Sequence, residues 1–186
     1  MPIRPSPVLD AVVRRRSQPK VSADAPTHAE LLLLVAAAAC VADHGSLRPW
    51  RLIELRGEAR QRLGAAFADA SEADQADAAK LAGTAMRASL LIAVVSSLRP
   101  SPKVAAWEQE AVASGVAHTL SLLLDDAGWG VMWRSGRLTR TEPMRAVHRL
   151  ETDEQLLGWL YVGGRDLGEK SGARKPFPAE EHLSVL

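Results

Sequence analysis

The sequence predicts a single compact domain in which helices cover both faces of a β-sheet. A chain of 186 residues suits one domain rather than two, and it can bury most of the apolar surface that its unfolded form exposes. The segment Ser89–Ser97 is apolar between its flanking serines and has the length of a strand, as expected where helices cover both sides. We therefore expect a central strand there, and we find no repeat or linker that would divide the chain.

Before this strand, the sequence predicts helices and one further strand. Val8–Arg16 has helical spacing and ends in arginines, which suit the negative end of a helix dipole. A capping box, with Thr at the N-cap and Glu at the third helical position, begins a helix over Thr27–Val41. Trp50–Arg56 alternates as a half-buried strand does. The Ala-rich stretch Glu58–Arg87 favours one or two solvent-facing helices.

After the central strand, the pattern continues with helices and strands in turn. An apolar stripe over Val104–Leu124 predicts a long helix. Strands are expected at Gly128–Trp133 and Gln155–Gly163, and Thr141 opens a helix with an early Pro. Gly164–Leu186 has no core pattern, so we expect an extended tail that runs over the surface or onto a partner.

The composition argues against several classes of protein. A formal net charge of +1 lacks the basic excess of a nucleic-acid binder. The single cysteine, Cys40, allows no intramolecular disulfide. The apolar run Leu31–Ala42 has 12 residues, whereas a membrane-spanning helix needs roughly 20. Residues 1–7 carry no secretory signal and are expected to be a loose leader, so a cytoplasmic location is the default expectation.

The sequence predicts neither a metal centre nor a nucleotide-binding loop. The five histidines lack the spacing of metal ligands, and one cysteine cannot form a thiolate zinc site. No Gly-x-Gly-x-x-Gly pattern follows a strand, which argues against a Rossmann site, and the sequence has no P-loop.

Three separate segments carry side chains suited to a ligand, and each also has an ordinary structural interpretation. Arg14–Ser17 offers guanidinium groups and a hydroxyl to a phosphate, or it is a solvated helix end. The loop Asp43–Trp50 offers Ser46, Arg48 and backbone amides freed by Gly45, or it is a plain connection from helix to strand.

The third segment, Gly128–Gly136, combines glycines with a strand. Its glycines would let the backbone approach a flat ring system, and Arg134 and Ser135 could reach polar edges of that ring. The alternative is a buried strand with Trp and Met in the core. Neither His44 nor the two glutamates of Trp107–Glu110 indicates an acid/base site, because no triad order surrounds His44 and the carboxylates point in different directions on a helix.

In this order, the three segments resemble the nitroreductase family, especially its compact bacterial NAD(P)H nitroreductases. The resemblance extends from about Val8 to Gly163 and includes the helix start Trp107–Glu110 and the strand Leu157–Gly163. The motifs that carry it are Arg15-Arg16-Ser17 with Lys20, Asp43–Trp50 and Gly130–Gly136.

The resemblance implies an α+β fold with a mixed central sheet flanked by helices. It also implies a homodimer that binds two FMN molecules at the subunit interface, where neither subunit alone completes a pocket. The implied activity is that of an FMN-dependent oxidoreductase with a ping-pong mechanism. NADH or NADPH gives a hydride to flavin N5, and a nitroaromatic, a quinone or a related acceptor then takes the electrons. No catalytic acid or base of the protein is then essential.

The resemblance also assigns residues to the site by their positions in the motifs. The implied FMN-binding residues are Arg15, Arg16, Ser17, Lys20, Cys40, His44, Ser46, Trp133, Arg134 and Ser135. The first three match contacts to the phosphate and ribityl chain, and Lys20 is expected beside the flavin, where positive charge stabilises the reduced form. A further basic phosphate contact is expected from among Arg165, Lys170, Arg174 and Lys175.

The sequence leaves other functions of the same fold open. These are flavin-dependent dehalogenation, enoyl-type reduction, flavin cleavage, or a flavin-binding dimer without turnover.

Overall fold

The computed structural model describes residues 6–71, 75–165 and 175–186. The helices of this part are α1 (Pro7–Arg14), α2 (His28–Ala38), α3 (Glu58–Asp69), α4 (Gln75–Gly83), α5 (Ala106–Asp126) and α6 (Glu142–His148). Its strands are β1 (Val21–Ser22), β2 (Trp50–Leu55), β3 (Leu90–Ser97), β4 (Trp129–Arg134) and β5 (Glu154–Arg165).

The predicted elements are confirmed with shifted bounds. The capping box of α2 is present: the Glu30 amide donates to Thr27 Oγ1 at 3.3 Å, and the Thr27 amide donates to the Glu30 carboxylate at 2.7 Å. Helix α1 ends before Arg15 and Arg16, so these residues follow the helix instead of forming its last turn. The stretch Glu58–Arg87 contains two helices, α3 and α4.

The five strands form one sheet with β5 at its centre. β5 pairs with β3 along one edge and with β4 along the other, β2 pairs with β3, and short β1 pairs with the C-terminal end of β5. The α+β class is confirmed. All four pairings between described strands are antiparallel, which corrects the expectation of a mixed sheet for this part of the chain. Helices on both faces of the sheet keep every residue of β3 buried, although none of its neighbours among the described strands is parallel.

Two hydrophobic cores lie on opposite faces of the sheet. Even-numbered residues from Leu90 to Val94 in β3 belong to the core under α2 and α5. Odd-numbered residues from Leu91 to Val95 belong to the core under α3 and α6. The sheet therefore separates two helical layers. Because side chains alternate along a strand, each residue's position decides which helical layer its side chain contacts.

A β-bulge interrupts the pairing of β3 with β5. The register shifts between Val94 and Val95, which leaves one additional residue in β5 just before Gly158. Gly158 has a φ of 142°, and a Cβ there would overlap the carbonyl oxygen of Arg134 and lie 2.7 Å from Nε1 of Trp133. A glycine at the bulge thus allows the end of β4 to approach β5 closely.

Among the described residues, none of the helices combines the length and the apolar character needed to cross a membrane. The same residues contain no group of three His, Cys, Asp or Glu side chains placed to hold a metal ion.

Candidate functional site

A cavity of about 420 Å³ lies where the residues before β1 pass over β4. It is lined by Lys20, Arg87 and Arg134, together with Pro19 and Val21. No acidic side chain of the described residues lines it. We call it the cationic cavity, since three positive side chains around one cavity favour an anionic group such as a phosphate.

A second cavity, of about 490 Å³, adjoins the first at Arg134, which lines both. We call it the aromatic cavity, because four of its twelve lining residues are aromatic. It is lined by Phe67, Leu81, Thr84, Met132, Trp133, Arg134, Ser135, Gly136, Arg137, Leu138, Trp159 and Tyr161. A lining of this kind suits a planar ring with a few polar edges.

Arg134 has an unused hydrogen-bond donor at the junction of the two cavities. Its guanidinium carbon lies 5.2 Å from the centre of the Tyr161 ring, in a cation–π contact. Burial raises the pKa of Tyr161 and outweighs the opposite effects of Thr84, Arg134 and Arg87. The Nε of Arg134 is buried and has no hydrogen-bond partner among the described residues. An unpaired buried donor is costly, so an acceptor atom of a ligand would stabilise it.

Trp133 and Arg134 point to different faces of the sheet, as neighbours on a strand do. Trp133 packs edge-on against His118 of α5, with ring centres 4.8 Å apart. Its Nε1 is also buried without a hydrogen-bond partner among the described residues. Ser135 follows in an exposed position at the rim of the aromatic cavity.

The glycines around β4 have different roles. A Cβ on Gly136 would meet no atom within 4 Å, so this glycine does leave open space beside the aromatic cavity. A Cβ on Gly130 would lie 2.7 Å from Cγ1 of Val21. This corrects the interpretation of Gly130: its missing side chain makes room for Val21 of β1, and not for a flat ligand.

The predicted phosphate contacts Arg15, Arg16 and Ser17 lie between α1 and the cationic cavity in the chain. Nη1 of Arg16 donates to the carbonyl oxygens of Val13 at 2.7 Å, Arg15 at 3.0 Å and Arg14 at 3.2 Å. Arg16 therefore caps the C-terminal end of the preceding helix α1. Its Nε is buried without a partner among the described residues, and Ser17 is exposed. Binding of phosphate by these three residues stays a prediction.

The loop between α2 and β2 has a strained backbone. Gly45, Ser46 and Arg48 adopt left-handed φ values of 75°, 53° and 47°. The Asp43 carboxylate accepts a hydrogen bond from the Arg48 amide at 2.8 Å and so holds the turn. A residue other than glycine in this region costs of the order of 1–3 kcal/mol, and such strain concentrates at ligand-binding sites.

His44 of this loop contacts the N-terminal end of α5. Its Nδ1 lies 3.2 Å from Oε2 of Glu108, and this hydrogen bond, with one from a backbone amide, lowers the pKa of Glu108. His44, Glu108 and the 72% exposed Trp107 line a third cavity, of about 450 Å³. Cys40 precedes this cavity's lining residue Val41 in the chain and is exposed.

The predicted site residues fall into two groups at opposite ends of α5. Glu108, near the N-terminal end, contacts His44, whereas Asp126, at the C-terminal end, forms an ion pair with Arg14 at 2.8 Å. Asp126 lies 18 positions after Glu108, a separation of about 27 Å along the helix. Within one subunit, Lys20 and Arg134 therefore line the same cavity, whereas His44 and Arg14 lie far apart.

The C-terminal candidates differ in their surroundings. Arg165 is occupied within the chain, because its Nη2 donates to the Asp125 carbonyl oxygen at 2.6 Å and pairs with the buried Asp125 carboxylate at 3.0 Å. Lys170 and Arg174 lie outside the described residues, and Lys175 is exposed.

Sequence reasoning missed Arg87, Thr84 and Trp159. The first two come from a short 3-10 turn at the end of the Ala-rich stretch, which carries no motif. Arg87 does lie shortly before the central strand. A cationic residue next to the start of a buried strand was the one signal in the sequence that could have indicated its place in the site. Trp159 lies within a strand whose sequence pattern is that of an ordinary core strand, so nothing in the sequence indicated a role in the site.

Comparison with known proteins identifies the family. The family model described as the nitroreductase family matches residues 12–164. The candidate NAD(P)H nitroreductase YdjA of Escherichia coli (strain K12) is 30% identical over 173 residues, which cover 91% of this chain and 94% of that protein. A candidate NAD(P)H nitroreductase of Haemophilus influenzae is 26% identical over 159 residues, covering 83% and 86% of the two chains.

Solved structures share the fold. A nitroreductase-like family protein from Bacillus cereus superposes with a TM-score of 0.84 at 22% identity, covering 99% of this chain and 98% of that one. The FMN and NADPH-dependent nitroreductase NfnB from Sphigopyxis sp. strain HMH gives a TM-score of 0.72 at 18% identity, covering 96% and 98%. Since the family match runs from α1 to the end of β5 and so includes both adjoining cavities, this chain belongs to the nitroreductase family.

Proposed function

We propose that the protein is an FMN-dependent oxidoreductase that uses NADH or NADPH to reduce nitroaromatic compounds, quinones or related acceptors. The observation that carries this function is the pair of adjoining cavities joined at Arg134, whose buried Nε lacks a partner among the described residues. FMN combines a planar ring with a phosphate, and these two parts match an aromatic and a cationic cavity. The names of the relatives support the choice, because they include NAD(P)H and, for one solved structure, FMN and NADPH.

In this proposal, the chain binds and orients the cofactor. Lys20, Arg87 and Arg134 provide positive charge, which stabilises negative charge on a bound ring or phosphate. Gly136 leaves space at the rim, and Trp159 forms a wall of the aromatic cavity. When bound, FMN supplies the hydride and electron transfer between NAD(P)H and an acceptor. Because no carboxylate or histidine of the described residues lines either cavity, we assign no proton transfer to such a group.

We propose further that the active form is a homodimer in which the His44 loop of one subunit completes the site of the other. The apolar side chains Val8, Leu9, Val12 and Val13 of α1 are 69%, 43%, 47% and 55% exposed. An amphipathic helix with an uncovered apolar face is typical of a subunit interface. The separation of the two predicted groups along α5 supports the same arrangement, because a second copy can supply the missing group.

The dimer is tested by placing charge on that face. The double variant Val8→Lys, Val12→Lys should be monomeric in analytical ultracentrifugation and should lose FMN together with dimerisation. Gln61→Lys, on the exposed face of α3, is the matched control and should remain dimeric. A double variant that stays dimeric and keeps its flavin would contradict this interface.

The cofactor is tested on the purified protein. We expect a yellow protein with extractable FMN, bleached by NADH or NADPH without oxygen and recoloured by a nitroaromatic or a quinone. Arg134→Leu should lose FMN, whereas Arg62→Leu, exposed on α3, should retain it. A colourless protein that cannot be reconstituted with FMN would refute the proposed function.

A further inference from the structure

His148 is a buried histidine that neither the motifs nor the proposed cofactor contacts include. It is the last residue of α6 and is 3% exposed. Its Nδ1 lies 2.8 Å from the carbonyl oxygen of Met144, and its Nε2 lies 3.0 Å from Nε1 of Trp159. A carbonyl oxygen only accepts and an indole N–H only donates, so the imidazole is neutral and carries its proton on Nδ1.

The surroundings of His148 favour the neutral ring. Burial lowers the pKa of His148 most, the positive charge of Arg51 lowers it further, and the Met144 carbonyl acts in the opposite sense. Arg51 of β2 pairs at 2.6 Å with Glu154 of β5 and also donates to the His148 carbonyl oxygen at 3.4 Å. Arg145 of α6 donates to the Glu154 carbonyl oxygen at 3.1 Å.

Trp159 contacts His148 and also lines the aromatic cavity. The indole is 3% exposed and forms part of the wall of the aromatic cavity. Phe67 of α3 meets it edge-on, with ring centres 5.1 Å apart. The bulge at Leu157, two residues before Trp159, sets the face of the sheet on which the indole lies. Nε2 of His148 accepts the hydrogen bond from the indole N–H. Two contacts and the bulge thus fix the plane of this wall.

We propose that His148 is a positioning residue that orients Trp159 as the wall of the aromatic cavity and so shapes the surface against which a planar ligand binds. Protonation of His148 would set an imidazolium N–H against the indole N–H, two donors at hydrogen-bond distance. The indole must then turn or shift, and the wall moves with it. This inference rests on the proposed function for the identity of the ligand, FMN, and on the geometry alone for the hydrogen bond.

Two substitutions separate the hydrogen bond from the titration. In His148→Gln, the amide oxygen can accept from Trp159 and the amide nitrogen can donate to Met144, and the side chain does not titrate. His148→Leu keeps much of the volume and has no acceptor. His28→Gln, at an exposed histidine, is the control.

The measured quantity is the dissociation constant of FMN at neutral pH and at falling pH, for as long as the protein stays folded. Loss of one hydrogen bond corresponds to about a tenfold change in affinity. At neutral pH we expect His148→Leu to bind FMN about tenfold more weakly than wild type, and His148→Gln and His28→Gln to bind as wild type does. Because burial lowers the pKa of His148, a fall in the affinity of wild type and His28→Gln should come only below the ordinary histidine pKa, and His148→Gln should not show it. If folded His148→Leu binds FMN as wild type does at neutral pH, or if wild-type affinity falls at low pH and that of His148→Gln falls with it, the inference is overturned.

A second measurement does not depend on FMN. In the protein without cofactor, NMR should show the Nδ1–H form of His148, and the Trp159 indole N–H signal should move in His148→Leu but little in His148→Gln. An Nε2–H form, or an indole signal unchanged in His148→Leu, would overturn the inference even if FMN binds. Wild-type protein that binds no FMN at any pH would instead refute the proposed function, and the NMR result would still decide the role of His148.

Discussion

Replacing Gly158 with alanine should destabilise the protein strongly, because this position combines an unfavourable backbone angle with a lack of space. A φ of 142° lies in a region that favours glycine, and holding another residue there costs about 1–3 kcal/mol. The new Cβ would also overlap the Arg134 carbonyl oxygen and lie 2.7 Å from Trp133 Nε1 and 3.1 Å from Ser135 Cβ. Overpacking of this kind costs about 1–3 kcal/mol. Together these give a loss of about 2–6 kcal/mol.

Urea denaturation of the Gly158→Ala variant measures this loss as a change in the free energy of unfolding. Gly83→Ala is the matched control, since Gly83 lies in α4 and a Cβ there meets no atom within 4 Å. The control should be neutral or up to about 1 kcal/mol more stable, because alanine favours a helix more than glycine. The reasoning fails if Gly158→Ala unfolds within about 0.5 kcal/mol of wild type, which is the range of neutral surface changes.

The remaining predictions concern caps, charge and cofactor. Thr27→Ala removes the N-cap of α2 and should lower the free energy of unfolding by about 1 kcal/mol; an unchanged urea midpoint would contradict that role. Arg51 lowers the pKa of the Glu154 carboxyl, so this pair should stabilise the fold above the ordinary glutamate pKa, and the stabilisation should disappear as pH falls through the lowered value. Glu154→Gln should lower the free energy of unfolding by about 1–3 kcal/mol at pH 7, a range reduced for the partial exposure of Arg51. The variant should also lose less stability than wild type as the pH falls. An equal loss of stability at acid pH in both proteins would rule out this assignment. Arg15→Ala, Arg16→Ala should weaken FMN retention, and unchanged flavin content in the folded double variant would exclude the pair from the site.

Local signals in the sequence predicted the elements well. The capping box at Thr27 depends on residues three positions apart, so it is readable without tertiary information. The buried strand Leu90–Ser97 is readable because every residue in it must be apolar or small to lie between two helical layers. The same reasoning located β2, β4 and β5 to within a few residues.

The relations that the sequence could not supply are those between distant segments. The direction of strand pairing depends on how connections return the chain to the sheet, so the expected mixed sheet became an antiparallel one in the described strands. Gly130 has the composition of a ligand-facing glycine, but Val21, far away in the chain, fills the space. Arg87 and Lys20 are far apart in the chain, and they line one cavity only because folding brings their two segments together.

Helix α5 also limits where insertions and deletions can occur in this chain. In the proposed dimer, each subunit contributes His44 from one end of this helix to one site and the segment after Arg14 from the other end to the second site. A single inserted residue would lengthen the helix by about 1.5 Å and rotate one end against the other by about 100°. Both sites would be misaligned at once, so α5 should tolerate substitution far better than insertion or deletion.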